Sequence, residues 1–377
     1  MKIGILTLPL HTNYGGILQA YALQTVLERM GHDVVVFDKP MHTDVPPLLK
    51  RIRIYLRRIK GKILGNYKGV ILYSTAKKNI EKERKYTQKF INKHIKRLEI
   101  KQLHEINGIE LDAIVVGSDQ IWRERYFKWF WSNKICDAFL DFCNKDIIRI
   151  SYAASFGTDK WEYTKEETLE CANAIRKFSY VSTREFSGAQ LCREKLSVNG
   201  CLQVLDPTFL LNKEDYIKVF NSAGIPKSPG NLLLYILDED EYKKNIINNV
   251  LQMTNMVPFR VNSYVEDNSA SIEKRCQPPV EKWLRGFYDA KYVVTDSFHA
   301  CVFSIIFNKP FVVVANPQRG LDRIISLLNI FGLKKCLYKN GNEVQFENDY
   351  NWNQINEILR YEVYKSMSFL RNAMTKN

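Results

Sequence analysis

A histidine stands where a strongly apolar segment passes into a helical one. Residues 293–295 form an apolar run typical of a buried strand, and Ser297 and His299 follow before helical spacing begins at Ala300. A strand that opens directly into a helix presents unpaired backbone N–H groups, which bind phosphate or carboxylate. We therefore predict an anion site at Ser297 and His299, where His299 can also transfer a proton. A purely structural histidine is the alternative.

Two arginines follow other apolar runs. Arg184 and Arg319 each stand just beyond a segment with the composition of a buried strand. A guanidinium at the carboxyl edge of a sheet suits bidentate capture of a carboxylate or phosphate. We predict that both arginines bind an anionic ligand. A salt bridge from Arg184 to Glu185 is an equal alternative. Near the second arginine, Arg323 could supply the cation in place of Arg319, and either could instead cap the preceding elements.

A carboxylate and an indole follow a third apolar run. Residues 113–117 are strand-like and lead into Asp119 and Trp122. A carboxylate at a strand end can accept a proton from a sugar hydroxyl, and an indole can stack on a sugar face. We predict that Asp119 acts as an acid–base group or binds a hydroxyl, and that Trp122 contacts a sugar. Capping of a helix N-terminus by Asp119 is the alternative.

A turn with two glycines joins the first apolar run to a helical segment. It contains Asn13, Gly15 and Gly16, and Gln19 follows one turn later. Glycines permit close backbone approach, and the helix after them offers free N–H groups. These four residues are candidates for an acceptor or ligand loop, although a structural tight turn is equally consistent. The G-x-G-x-x-G pattern of dinucleotide sites is absent from the sequence.

Strand-like and helical segments alternate along the whole chain. Strands are predicted at Ile3–Pro9, Val34–Phe37, Ala113–Gly117, Ile147–Ala154, Tyr180–Thr183, Cys201–Leu205, Leu232–Leu237, Pro258–Val261, Tyr292–Thr295 and Phe311–Val314. Continuous apolar strands alternating with helices indicate parallel sheets covered on both faces, hence an α/β fold. The strand ends of two such sheets enclose a cleft, where ligands usually bind.

The division into domains follows from a proline- and glycine-rich segment at residues 226–230. We predict an N-terminal Rossmann-like domain at 1–225, with a basic helical excursion at about 45–105. A C-terminal Rossmann-like domain follows at 226–345. Residues 346–377 are predicted to form a helix that packs back on the first domain.

Composition limits the class of protein. The chain has 377 residues, 45% hydrophobic and 25% charged, which suits a soluble protein with two cores. Its eight cysteines include no C-x2-C pair, so we expect reduced thiols and neither a metal site nor a disulfide framework. No apolar run is as long as a membrane-spanning helix, which needs about 20 residues. The apolar N-terminus is interpreted as a buried strand rather than a secretion signal. These features predict a cytoplasmic protein.

The net charge of +14 is concentrated in one segment. Residues 45–80 contain ten lysines and arginines and no acidic residue. Within them, the alternation of basic and apolar residues at 48–64 predicts an amphipathic face that binds an anionic membrane surface. A solvated helical excursion is the alternative. Since no nucleic-acid-binding motif accompanies the charge, we expect no nucleic acid partner.

Six segments in this order resemble the polysaccharide pyruvyl transferase family. They are NYGGILQAYAL (13–23), GSDQIW (117–122), SYAASFG (151–157), VSTRE (181–185), DPTFLL (206–211) and WLRGFYDAKYVVTDSFHACVFSIIFNKPFVVV (283–314). The resemblance implies the two-Rossmann-domain (GT-B) architecture of many glycosyltransferases, with phosphoenolpyruvate in the cleft as donor substrate and no cofactor. It also implies that Arg184 and His299 contact this donor, with Ser297 beside them.

The implied activity is transfer of the enolpyruvyl group to hydroxyls of a saccharide, which forms a ketal in bacterial surface or capsular polysaccharide. His299 is then the candidate for acid catalysis and Asp119 for the acceptor hydroxyl. The basic residues 48–64 point to a lipid-linked acceptor at the inner face of the membrane. Two alternatives remain open: a glycosyltransferase of the same architecture that uses a nucleotide sugar, and a non-catalytic sugar- or anion-binding module.

Overall fold

A computed structural model gives the fold for most of the chain. It describes residues 1–40, 73–144, 146–265, 267, 270–316, 319–338 and 349–375, with residues 73–77 described as backbone alone. The basic segment at 48–64 lies outside the described residues, so its predicted membrane face stays a prediction.

The first sheet contains, within the described residues, seven parallel strands. They are β1 (Lys2–Leu6), β2 (Asp33–Asp38), β3 (Arg97–Glu99), β4 (Ala113–Gly117), β5 (Ile148–Ala154), β6 (Tyr180–Thr183) and β7 (Leu202–Gln203). Their spatial order is β3-β2-β1-β4-β5-β6-β7. All five residues of β4 are buried, as expected of a central strand with helices on both faces.

The second sheet, again within the described residues, has five parallel strands. They are β8 (Leu232–Tyr235), β9 (Pro258–Phe259), β10 (Tyr292–Thr295), β11 (Phe311–Val314) and β12 (Leu337–Tyr338). Their order is β12-β11-β10-β8-β9. The predicted α/β class with two Rossmann-like parallel sheets is confirmed by this pair of sheets.

Helices cover both faces of each sheet. They are α1 (Tyr14–Arg29), α2 (Tyr73–Glu83), α3 (Lys85–His94), α4 (Glu124–Phe130), α5 (Lys165–Ile175), α6 (Phe186–Leu196), α7 (Lys213–Ser222), α8 (Glu241–Met253), α9 (Ile272–Arg275), α10 (Val280–Asp289), α11 (Phe298–Ile306), α12 (Leu321–Ile330) and α13 (Trp352–Met374). None of these described helices combines the length and apolar character that crossing a bilayer requires.

Residues 97–99 differ from the predicted helical excursion, because they form β3 at the edge of the first sheet. Val36, Phe37 and Asp38 of β2 pair with them in parallel register. Pairing satisfies the backbone groups of this short segment, although its charged side chains give no apolar signal.

One hydrophobic cluster extends across both sheets. The largest buried cluster joins residues such as Ile5 of β1 to Val293 of β10. At the junction, the Tyr14 ring stacks on Trp283 with ring centroids 5.5 Å apart. The Tyr14 hydroxyl donates a hydrogen bond to the carbonyl of Pro278 at 2.8 Å. The N-terminus of α1 is therefore fixed against the second sheet.

The C-terminal helix α13 packs against the first sheet. The amide of Leu205, just after β7, donates to the Ser366 hydroxyl at 3.0 Å. The Phe369 ring lies 6.1 Å from Tyr152 and 6.0 Å from Tyr180, centroid to centroid. Since α13 follows the second sheet in sequence, these contacts tie the end of the chain to its first half.

Candidate functional site

A cavity of about 820 Å³ opens between the carboxyl ends of the two sheets. Segments that follow β1, β4, β8 and β10 line it, together with the start of α1 and of α12. The predicted site residues found in its lining are Asn13, Gly15, Gly16, Asp119, Ser297, His299 and Arg319. Strand ends that are far apart in sequence thus meet at one surface, as parallel topology predicts.

Ser297 and His299 lie at the start of α11. The chain leaves β10 at Thr295, whose hydroxyl donates to the carbonyl of Tyr235 at 2.7 Å and accepts from the Ser297 amide at 3.0 Å. Ser297 is the N-cap residue, but its side chain makes no capping hydrogen bond within the described structure. The first-turn amides of α11 therefore suit an anionic ligand at this end of the cavity.

Gly15 contacts His299 directly. A Cβ atom built on Gly15 would lie 1.9 Å from the imidazole Nδ1 atom. Only a residue without a side chain therefore allows the start of α1 to approach the histidine this closely. This glycine fixes the position of the imidazole from the first sheet's side of the cavity.

Asp206 lies beneath His299 and connects it to the first sheet. Its Oδ2 atom is 3.5 Å from Nε2 of His299 and accepts from Nη1 of Arg184 at 2.6 Å and from the Ser118 hydroxyl at 3.2 Å. Its Oδ1 atom accepts from the amide of Thr208 at 3.0 Å and from its hydroxyl at 2.6 Å. Both oxygens of the carboxylate thus accept hydrogen bonds from buried neighbours.

The charge state of Asp206 follows from these contacts. Burial by itself raises the pKa of the carboxyl, but the adjacent imidazole of His299, the charge of Arg184 and the Thr208 hydroxyl lower it. The lowering contacts prevail and hold the Asp206 pKa well below its usual range. An ionised carboxylate therefore orients the imidazole from below.

Arg184 supports the cavity floor from behind. Its side chain is almost fully buried, and in the described structure it is not part of the cavity lining. The guanidinium carbon lies 4.4 Å from the Phe298 ring centroid, and Nη2 is 3.7 Å from Oδ1 of Asp119. The alternative partner, Glu185, accepts instead from the Ser155 hydroxyl at 2.9 Å. The arginine is therefore one layer below the surface on which we expected it.

Arg319 and Arg323, from the second half of the chain, both line the cavity but differ in their ion-pair partners and their burial. Arg319 forms a bidentate ion pair with Asp238, with Nε and Nη2 at 2.8 and 2.7 Å from the carboxylate. Hydrogen bonds from Arg319 are the largest cause that lowers the Asp238 pKa to about 2. Arg323 is almost fully buried, and its Nη1 is 3.9 Å from Oδ1 of Asp119. Burial, and then the charge of Arg184, lower the pKa of Arg323 to about 10.

Asp119 adopts a left-handed backbone conformation, with φ of 58°. Its carboxylate lies between the two buried guanidiniums of Arg184 and Arg323, and Oδ2 accepts from Nδ2 of Asn13 at 3.5 Å. The nearest following helix, α4, has Arg123 at its N-cap. The capping alternative for Asp119 is therefore wrong, and its carboxylate faces the cavity.

Two predicted residues lie away from the cavity. Trp122 is fully buried, and its ring stacks on Phe139 at 4.8 Å. This placement contradicts a stacking role on a sugar. Gln19 is also buried, where Nε2 donates to the Thr7 hydroxyl at 3.0 Å and Oε1 accepts from the Ser118 amide at 3.1 Å. The glutamine shapes the loop before Asp119 rather than lining the cavity.

Sequence reasoning assigned no role to Asp206 or Phe298. Asp206 follows the predicted strand Cys201–Leu205, so the strand-end argument used for Arg184 would have found it. Phe298 carries no comparable signal, because an apolar residue at a helix start does not show that two guanidiniums pack against it. Within the described residues, no cluster of histidine, cysteine and acidic side chains could hold a metal ion.

Comparisons with known proteins give one family. The model of a family described as polysaccharide pyruvyl transferase matches residues 13–318. No curated protein matches the sequence. The matched range includes Asp119, Arg184, Asp206 and His299.

Similar solved structures include two epimerases and a glycosyltransferase. UDP-GlcNAc 2-epimerase from Neisseria meningitidis bound to UDP-GlcNAc is 10% identical, covers 100% of this chain and 95% of its own, and has a TM-score of 0.46. The Methanocaldococcus jannaschii UDP-GlcNAc 2-epimerase is 14% identical, with coverages of 96% and 93% and a TM-score of 0.43. E. coli heptosyltransferase WaaC with ADP is 10% identical, with coverages of 96% and 100% and a TM-score of 0.39.

The contact between Gly15 and His299 gives a first prediction. Gly15→Ala places a Cβ atom inside the imidazole, so we expect a loss of about 1–3 kcal/mol in unfolding free energy as the packed groups shift. Urea unfolding measures it. Gly200→Ala is the matched control, because no atom lies within 4 Å of its added Cβ. Equal stability of the two variants would contradict the close contact.

The low pKa of Asp206 gives a second prediction, through the difference in unfolding free energy between wild type and Asp206→Asn. Because the folded carboxyl binds its proton less readily than the unfolded one, its stabilisation is complete above the unfolded pKa and lost as pH falls toward the folded pKa. The substitution leaves Arg184 without its buried partner, so we expect a difference of about 3–5 kcal/mol at neutral pH.

Urea unfolding of both proteins at several pH values tests this. The difference should stay constant down to about pH 5 and shrink below about pH 4, where the unfolded carboxyl takes up its proton. A difference that is small at pH 7, or that grows on acidification, would show that Asp206 is not held ionised by its neighbours.

Proposed function

Because the chain belongs to the polysaccharide pyruvyl transferase family, we propose that it transfers the enolpyruvyl carbons of phosphoenolpyruvate to hydroxyls of a saccharide. The observation that carries the proposal is the group of arginine and histidine side chains at the floor of the cavity. His299, its Asp206 partner and the buried Arg184 lie together at the start of α11. Such a floor suits a small, doubly anionic donor.

Phosphoenolpyruvate needs two poles, one for its phosphate and one for its carboxylate. The amides at the start of α11, with Ser297 and His299, supply the first. Arg184 lies behind the second pole, and Nε and Nη2 of its guanidinium have no hydrogen-bond partner among the described residues. Arg319 lines the same cavity and remains a candidate cation for the donor.

The proposed chemistry joins two oxygens of one sugar to the same carbon. A proton adds to the methylene carbon of the donor, and a sugar hydroxyl bonds to the adjacent carbon and loses its own proton. Phosphate then leaves with the electron pair of its C–O bond. A second hydroxyl adds to that carbon, loses its proton and closes the ketal ring.

His299 and Asp119 are the groups proposed for these proton transfers. The imidazole lines the cavity, and the Asp206 carboxylate lies 3.5 Å behind its Nε2 atom, which suits a group that transfers protons. It is assigned to phosphate binding and acid catalysis. Asp119 is assigned to the acceptor hydroxyl, beside Asn13 and the Gly15–Gly16 turn. Each proton transfer of this kind is worth about 10²–10⁴-fold in rate.

We further propose a bacterial surface or capsular saccharide as acceptor, lipid-linked at the cytoplasmic face of the membrane. Support comes from the basic, apolar-laced sequence at 48–64. Co-sedimentation with anionic vesicles should therefore retain the protein at low salt and release it at high salt. Failure to bind such vesicles at low salt would count against the membrane-associated acceptor, although not against the donor.

A nucleotide-sugar glycosyltransferase and a non-catalytic binding module are the rival functions. Calorimetric titration with phosphoenolpyruvate and with UDP-GlcNAc separates them, and phosphate release in the presence of candidate saccharides tests turnover. We expect phosphoenolpyruvate to bind and UDP-GlcNAc not to bind. The reverse result would favour the glycosyltransferase, and donor binding without turnover on any saccharide would favour the binding module.

His299→Ala should abolish phosphate release, because it removes the proposed acid and one donor contact, while circular dichroism shows a folded protein. His104→Ala is the matched control, since that histidine is exposed and outside the cavity lining of the described structure. Turnover by the His299 variant equal to that of the control would overturn the assignment.

A further inference from the structure

Two buried guanidiniums pack against one phenyl ring at the cavity floor. The guanidinium carbon of Arg184 is 4.4 Å from the Phe298 ring centroid, and that of Arg323 is 5.4 Å from it. Their residues are only 4% and 6% exposed, respectively. Two positive charges that are buried near each other, away from water, repel strongly. The pair therefore needs anions nearby.

Three carboxylates lie near the pair, but they leave some of its hydrogen-bond donors unsatisfied. Asp206 is already hydrogen-bonded to Arg184, Thr208 and Ser118. Asp119 is the carboxylate that lies near both guanidiniums, at 3.7 Å from Arg184 and 3.9 Å from Arg323. Both distances exceed a hydrogen bond, so Asp119 is attracted by the pair without being bound to either.

Glu185 also faces the pair, but other groups hold it. It accepts hydrogen bonds from the Ser155 hydroxyl and the Phe156 amide, each at 2.9 Å. Burial raises its pKa, against the lowering effect of the two arginines. Among the described residues, Glu185 therefore hydrogen-bonds neither guanidinium of the pair.

Three guanidinium donors of this pair have no hydrogen-bond partner among the described residues. Nε of Arg323, and Nε and Nη2 of Arg184, are buried and without a hydrogen-bond partner among the described residues. Buried polar groups are normally satisfied, so unsatisfied donors at a cavity floor indicate a ligand that brings acceptor oxygens. An anion with several oxygens would satisfy them.

Access from the cavity distinguishes the arginines. Arg323 and Asp119 line the cavity, whereas Arg184 lies behind them. Arg319 lines it too, but its guanidinium already donates two hydrogen bonds to Asp238. An anion that enters the cavity thus reaches Arg323 before it reaches Arg184.

We propose that Arg323 binds one anionic group of the donor, and that Asp119 holds the place of that group while the cavity is empty. Donor binding frees the Asp119 carboxylate from the arginine pair. That carboxylate is then available to accept the proton of the acceptor hydroxyl, so the donor binds before the acceptor. This inference rests on the proposed function, because it takes phosphoenolpyruvate as the donor.

A competing internal anion has an unusual consequence. Asp119→Asn removes the competitor while keeping the size of the side chain, so the variant should bind phosphoenolpyruvate more tightly and yet release no phosphate on acceptors. A merely structural Asp119 would give the opposite result, with weaker donor binding. Arg323→Met removes the cation and should weaken donor binding.

Calorimetric titration of phosphoenolpyruvate measures these effects. We expect Arg323→Met to weaken binding about 10- to 100-fold, as the loss of charge-assisted hydrogen bonds implies. Arg319→Met should weaken it much less. Asp119→Asn should strengthen binding several-fold, and this gain should disappear in the Arg323→Met background, because the competition acts through that arginine. Arg193→Met, an exposed arginine on α6, controls for a general loss of positive charge.

Two results would overturn the inference: Arg323→Met binding the donor like wild type, or Asp119→Asn binding it more weakly. If Arg323→Met fails to fold, Arg323→Lys replaces it. Lysine keeps the charge but lacks the planar fork, so a weakened affinity supports the inference and an unchanged one contradicts it. If wild type binds no phosphoenolpyruvate, the proposed function itself fails. That outcome is distinct from wild-type binding that Arg323 does not influence.

Discussion

The buried contact of Asp206 with Arg184 and His299 is the interaction on which the cavity floor depends. Asp206 follows β7 of the first sheet, and His299 belongs to α11 of the second. The carboxylate therefore joins the two halves of the molecule at the point where their strand ends meet. Such an ion pair is costly to bury, and it persists because both carboxylate oxygens and Nη1 of the arginine are hydrogen-bonded. Removal of either charge would leave the other unpaired.

The position of the imidazole follows from this contact and from Gly15. Asp206 holds the ring from below, and the backbone of α1 touches it from the side. Both neighbours come from the first sheet, whereas the histidine itself comes from the second. An imidazole held from two directions loses little freedom when a ligand arrives, which favours catalysis by positioning.

Much of the fold could be predicted from the sequence because buried parallel strands are continuous apolar runs. Tyr292–Thr295 and Phe311–Val314 have the predicted bounds, and both are buried throughout. Two short strands at sheet edges were not predicted. Arg97–Glu99 has two charged residues of three, and Leu337–Tyr338 is too short to show a period. Edge strands need only backbone pairing on one side, so their side chains carry little signal.

The site was predictable in outline, since polar residues at parallel strand ends converge. How deeply each of these side chains lies below the cavity surface was not predictable. Trp122 and Asp119 follow the same strand, yet one enters the core and the other faces the cavity, because the left-handed backbone at Asp119 turns the chain. Likewise, sequence spacing could not show that Arg319 is paired with Asp238 while Arg323 packs with Arg184 against Phe298. Those outcomes depend on tertiary contacts.

The most direct test of a donor-binding cavity floor is a crystal structure determined from crystals soaked with phosphoenolpyruvate. The account predicts density for one anionic group at the start of α11, beside Ser297 and His299, and for the other at Arg323, with the Asp119 carboxylate moved away from the arginines. Density for the ligand elsewhere in the cavity, or an unchanged Asp119 beneath a bound donor, would contradict it.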